Sequence, residues 1–168
     1  MTKCIFLDRD GVINRDRVDY AYDLSHFEIL PGVPKALARL KKAGFLLVVV
    51  TNQSGIAKGI YTRRDMRACH HYMHEQTDDV IDAVYYAPHH PTVTESLTRK
   101  PDTLMFEKAI ARFDIDPEQS WMIGDKERDI IPARQFGIPS ILISPTEAKT
   151  QAQYIVKDLA EATEIILG

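Results

Sequence analysis

The chain has 168 residues, 45% of them hydrophobic, enough for one domain with a continuous core. Its formal net charge of -3 leaves no basic footprint for nucleic acid, and no apolar run approaches the roughly 20 residues that span a bilayer. Only Cys4 and Cys69 are present, without redox or metal spacing, so the expectation is a cytoplasmic, monomeric protein with free thiols. Lys3 to Leu7 predicts a first strand, and Asn14 to Pro31 reads as irregular and charged. Val33, Leu37 and Leu40 follow helical spacing up to a stop at Gly44, and Phe45 to Val50 predicts a buried strand. Thr62, with Asp65 three residues on, predicts a capping box that opens a helix to about Thr77. Val84 to Ala87 follows as a third strand, and Asp102 or Thr103 as the cap of a helix through Phe113. Ser120 to Ile123, a short helix from Ile130 to Phe136 closed by Gly137, and Ser140 to Ile143 come next. A last helix is expected from about Ile155 to Ile166. Strands alternating with helices predict an α/β fold: one domain over residues 1–168, a doubly wound Rossmann-like parallel sheet with helices on both faces.

Chemistry concentrates where these strands end. The first gives out in Asp8-Arg9-Asp10-Gly11, and two carboxylates beside a core are costly unless paired or bound to a hard cation such as Mg2+. Residues i and i+2 of an extended segment point the same way, so Asp8 and Asp10 can both face one phosphate, one attacking and one moving a proton. A solvated strand-end turn is the competing reading for this motif alone. Further polar groups follow at Thr51-Asn52-Gln53-Ser54-Gly55, Arg99-Lys100-Pro101 and Gly124-Asp125-Lys126. Ligands of open parallel sheets bind beyond the carboxyl ends of the strands, so these segments describe one site. A hydroxyl, an amide, an ammonium and a further carboxylate are what phosphoryl transfer requires.

In this order the segments resemble the motifs of the haloacid dehalogenase (HAD) superfamily of phosphohydrolases. Within it they resemble the branch of the heptose bisphosphate and histidinol-phosphate phosphatases, over Ile5 to about Ile143. The resemblance implies Asp8 as a nucleophile forming an aspartyl-phosphate and Asp10 as general acid and then base. It implies Thr51 and Lys100 as stabilisers of the phosphoryl oxygens, and Asp125 as a Mg2+ ligand with Asp8 and the Asp10 carbonyl. Arg99 is implied to contact substrate, and Asn52, Gln53, Ser54 and Lys126 are further candidates for substrate binding. Asp129 reads first as an acid at a helix N-terminus, and alternatively as a carboxylate supporting the metal site.

The fold implied is HAD-like and capless, because the intervals from Asp8 to Thr51 and from Thr51 to Lys100 each hold only one helix and one strand. Specificity then rests on loops, chiefly Asp16 to Asp23, with Arg17 and Asp19 as candidate contacts, and His89 to Arg99. Relatives carry a structural zinc just before Arg-Lys-Pro. Here Ala87, Ser96 and Thr98 stand at the three cysteine positions and only His89 remains, so no structural zinc is expected. His70 and His74 lie four apart, as on a metal-binding helix, but the favoured reading is an exposed polar face. The implied partner is a small phosphorylated molecule. Motif details and the local basic groups favour the C7 phosphate of D-glycero-D-manno-heptose 1,7-bisphosphate, with Arg99, Arg17 or Lys58 holding the second phosphate. Histidinol phosphate or another small phosphometabolite is the alternative. A non-catalytic receiver-like module, also built around a phosphorylated Asp, is disfavoured because its nucleophile lies on the third strand.

Overall fold

The computed structural model describes all of residues 1–168. Six parallel strands make one sheet: β1 (Cys4–Leu7), β2 (Leu46–Asn52), β3 (Ala83–Ala87), β4 (Trp121–Gly124), β5 (Ser140–Ile143) and β6 (Tyr154–Val156), in the spatial order β3-β2-β1-β4-β5-β6. Side chains alternate across it, so Ile5, Leu7, Leu47 and Val49 enter one core while Cys4, Phe6, Val48 and Val50 enter another. That is why these strands read as unbroken apolar runs rather than alternating ones. Helices α1 (Val33–Lys42), α2 (Arg63–Gln76) and α5 (Leu159–Leu167) cover the first face; α3 (Leu104–Phe113) and α4 (Glu127–Gln135) cover the second.

The main elements lie where the sequence places them, and the differences have local causes. β2 runs two residues past Val50, because Thr51 and Asn52 continue the pairing with Tyr86 and Ala87. The Thr62–Asp65 capping box forms, with each side chain bonded to the other's backbone N–H. Neither Asp102 nor Thr103 caps α3: Thr103 occupies the cap position, but its hydroxyl bonds the Glu107 carboxylate instead. α4 begins three residues earlier than its apolar spacing suggests, since the Asp129 carboxylate accepts from the Lys126 N–H at 3.1 Å and holds the first turn. The expected final helix divides. Ile155 belongs to the edge strand β6, and α5 starts only after Asp158, which accepts from the Glu161 N–H.

The chain leaves β1 in one direction for β2 and β3, then returns to place β4, β5 and β6 on the other side. The topological switch therefore falls between β1 and β4, where open sheets bind ligands. Asp8 follows β1 there, its N–H donating to the Ile123 carbonyl at 3.0 Å, and Asp125 follows β4.

Candidate active site

Asp8, Asp125 and Asp129 converge at this switch, with one oxygen from each lying within 4.8 Å of the others. Lys100 enters from the start of the loop before α3. Its ammonium, buried completely, donates to Asp8 Oδ1 at 3.0 Å, to Asp129 Oδ1 at 2.6 Å and to the Val50 carbonyl at 2.7 Å. All three ammonium protons are thereby used. Burial alone would lower the Lys100 pKa, but the charges of Asp129 and Asp8 outweigh it and hold the ammonium firmly protonated. The Lys100 backbone is pinned as well: Asn52 accepts from its N–H at 2.9 Å and donates to its carbonyl at 3.0 Å.

Asp129 differs from the first reading of the sequence. It is fully buried, takes the Lys100 ammonium on Oδ1, and accepts the N–H groups of Asp125 and Lys126 on Oδ2. It fixes both Lys100 and the backbone that presents Asp125. Gly124 permits this, because a Cβ there would collide with the Asp129 side chain. Gly11, at φ +85, likewise lets the turn after Asp10 pass against the Asp125 carboxylate.

Asp10 sits in a separate network. Its Oδ1 is saturated by Arg9 Nη2 at 2.8 Å, Arg9 Nε at 3.2 Å and Asn14 Nδ2 at 2.8 Å, whereas Oδ2 accepts only Gln53 Nε2 at 3.2 Å. Burial pushes this carboxyl upward, yet the Arg9 charge and these donors bring it below the ordinary carboxylate range. Arg9 is itself buried, bonded to the Ala21 carbonyl and to His70 Nε2 at 3.2 Å, and stacked over Phe27. The exposed-face reading of His70 is therefore wrong. The residue is 9% exposed, and burial, then the Arg9 charge, lowers its pKa to about 3.

The remaining candidates divide by partner. Asp8, Asp10, Asp16, Arg17, Tyr20, Asn52, Ser54, Lys126 and Arg128 line one cleft of about 190 Å³. Gln53 does not face it: its amide is buried between Asp10, Thr51 Oγ1 at 2.9 Å and the Tyr61 hydroxyl at 2.6 Å, so it holds Asp10 rather than a ligand. Thr51 is also fully buried. Arg17 and Asp19 bond each other, and Lys126 is tied to Asp125 at 3.1 Å and Asp16 at 2.9 Å. Lys58, offered for a second phosphate, donates to the Tyr20 hydroxyl. The Arg99 guanidinium donates only to the His89 carbonyl, at 3.4 Å. In the 87–98 loop, Ala87 is a core residue and Ser96 Oγ accepts from the Thr98 N–H. Sequence reading passed over Arg128; its place in the first turn of the helix after Asp125 was the available signal.

The donor set suits a hard cation. Asp125 Oδ1 is buried without a hydrogen-bond partner, and no backbone N–H bonds the Asp10 carbonyl. Burial foremost, then the Asp129 charge, pushes the Asp8 and Asp125 carboxyls above their usual range, although Lys100 opposes this at Asp8 and Lys126 at Asp125. A cation among them would favour their ionised forms. Asp129, whose oxygens are spent on Lys100 and two N–H groups, serves as support.

An open parallel sheet with acids and an ammonium converging at its switch point defines an α/β phosphohydrolase. Residues 97–162 match the HAD-hydrolase-like family model. The chain is 36% identical to the D-glycero-beta-D-manno-heptose-1,7-bisphosphate 7-phosphatase of Haemophilus ducreyi, over 95% of each chain. It is 38% identical to the Escherichia coli enzyme of that name, over 96% of this chain and 93% of the other. The crystal structure of D,D-heptose 1,7-bisphosphate phosphatase from B. bronchiseptica, complexed with magnesium and phosphate, superposes with a TM-score of 0.88 at 31% identity, covering 99% of this chain and 98% of that one. The chain belongs to the HAD-like phosphatases, in the family that includes these heptose bisphosphate phosphatases.

Proposed function

We propose that this enzyme removes the C7 phosphate of D-glycero-β-D-manno-heptose 1,7-bisphosphate through an aspartyl-phosphate on Asp8. The observation that carries the chemistry is the division of the two motif carboxylates: Asp8 lies against Lys100, whereas Asp10 is held in a different network. Asp8 Oδ1 is engaged by Lys100 and the Arg9 N–H, which leaves Oδ2 to attack phosphorus. As that O–P bond forms, the ester P–O bond breaks and the leaving sugar oxygen takes a proton from Asp10. Oδ2 of Asp10, with its single long hydrogen bond, is the oxygen suited to that transfer. Beside the arriving phosphate dianion the Asp10 pKa rises, so Asp10 takes up a proton from solvent, and this is the proton it gives to the leaving oxygen. Asp10 then accepts a proton from water, which attacks the aspartyl-phosphate, releases inorganic phosphate and restores Asp8. Lys100 offsets charge at Asp8 throughout, and the Thr51 hydroxyl is the further donor assigned to the phosphoryl oxygens.

Mg2+ would be held by Asp8, the Asp10 carbonyl and Asp125, and would supply charge neutralisation for the transferring phosphoryl group. Support comes from the orphaned Asp125 oxygen and from the magnesium and phosphate of the B. bronchiseptica relative. No zinc is proposed for the 87–98 loop. The buried free thiols Cys4 and Cys69 support a reducing compartment, the cytoplasm, and we propose a monomer there.

The substrate reading rests on relatives 36–38% identical over nearly the whole chain. It is tested by phosphate release with Mg2+ from the heptose bisphosphate and from histidinol phosphate, with the product's remaining phosphate located by NMR. Faster release from the bisphosphate, at C7, is expected. Equal rates or a preference for histidinol phosphate would overturn the substrate while leaving the phosphatase chemistry in place.

A further inference from the structure

The basic side chains around the cleft fall into two kinds. Lys100 is paired with Asp8 and Asp129, Lys126 with Asp125 and Asp16, and Arg17 with Asp19. No carboxylate pairs with Arg99 or Arg128. Arg128 lines the cleft beside Asp8 and Asp10, and its Nε is buried with no hydrogen-bond partner. Arg99 lines a separate pocket, formed by the 91–102 loop, and feels the Arg128 charge, which, second to burial, lowers its pKa. Two neighbouring guanidiniums with unspent donors repel in the free protein, and the ligand that relieves this is a dianion able to accept from both forks. A phosphate monoester is such a ligand. The reacting phosphoryl group would be met by Lys100 and by the cation that Asp8 and Asp125 would hold, so the arginines are available to another phosphate on the same molecule.

We propose that Arg128, together with Arg99, forms the subsite for the second, non-reacting phosphate of a bisphosphorylated substrate, and that Arg128 thereby sets specificity. The proposal rests on the bisphosphate reading above and adds to it a residue that the motifs do not mark. It also explains why Arg17 and Lys58 are poorer candidates: each is already engaged.

The test compares wild type, Arg128→Ala and Arg128→Lys on three ligands: the heptose bisphosphate, fructose 1,6-bisphosphate and p-nitrophenyl phosphate. Where fructose 1,6-bisphosphate is not turned over, it is measured as a competitive inhibitor. Arg128→Ala is expected to raise KM or Ki for both bisphosphates by about tenfold more than KM for the monoester, mainly in KM rather than kcat, with Lys restoring part of the loss. A general structural defect would lower kcat on all substrates together. Equal losses on bisphosphates and monoester, or no loss, would overturn the subsite. Failure of the heptose assignment shows separately, as wild type without preference for the heptose ester, and the subsite is then still judged on fructose 1,6-bisphosphate against the monoester.

Discussion

Asp8 and Asp10, the two carboxylates proposed to react, are each held, directly or through Lys100, by a buried residue outside the cleft. Asp129 is the clearest instance, because one side chain holds Lys100, the Asp125 backbone and the first turn of α4. Asp129→Ala leaves a buried ammonium short of one anionic partner, and is expected to cost about 3 kcal/mol of unfolding free energy together with nearly all activity. Denaturant titration beside a phosphate-release assay checks both, and a variant of wild-type stability and rate would remove Asp129 from this account. Gln53 plays the corresponding part for Asp10. Gln53→Leu frees Asp10 Oδ2, so turnover of a sugar phosphate, whose leaving oxygen needs a proton, should fall at least about tenfold more than turnover of p-nitrophenyl phosphate. The ratio of the two kcat values reads this directly, and an unchanged ratio contradicts it. Asp8→Asn should abolish turnover of both, and substantial activity in that variant is incompatible with an aspartyl-phosphate.

At the scale of elements, α2 illustrates two roles in one helix. Its N-terminus is closed by the exposed Thr62–Asp65 box, and Thr62→Ala should cost about 1 kcal/mol in stability. Farther along, His70 packs neutral against Arg9, linking the helix to the Asp10 network. Its folded pKa of about 3 lies below the ordinary 6.5, so between these values the unfolded chain binds the extra proton. His70 thus contributes stability that is present above pH 6.5 and lost as pH falls toward 3, at up to about 1.4 kcal/mol per pH unit. Denaturant unfolding at pH 7.5 and 5.5 should show this loss in wild type and a smaller one in His70→Gln. Equal slopes would mean that the ring does not stay neutral in the fold.

For the whole molecule, the capless sheet leaves the switch-point cleft bounded by loops and by the first turn of α4, so metal and substrate meet the same small set of side chains. Chelation should abolish activity and Mg2+ restore it, whereas excess Ca2+ should inhibit, since its larger and looser shell misplaces nucleophile and phosphate. Elemental analysis of purified protein should find no stoichiometric zinc. About one tightly held zinc per chain would contradict the assignment of the 87–98 loop, which closes on the bond between Ser96 and Thr98 and on the His90–Thr92 pair.

The sequence by itself determined a parallel sheet, its first five strands along the chain, and the places of Asp8, Thr51 and Asp125 at or beside strand ends. Each follows from local rules: apolar runs set strands, and a polar residue at the end of a buried strand can only emerge at the sheet's carboxyl edge. Asp158 as the cap that separates β6 from α5 was overlooked, because Ile155 fits a helical spacing as well as an edge strand. Tertiary structure alone decided the pairings across long separations. His70 carries no sign in the sequence that it will meet Arg9, 61 residues away, and Asp129 none that it will meet Lys100, 29 residues away. The same holds for Gln53, whose place beside Ser54 suggested a ligand contact until the fold turned its amide inward to Asp10 and Tyr61. A side chain's chemistry is fixed by its type, but burial and charge environment arise only when distant segments pack, and those decide which acid reacts and which supports.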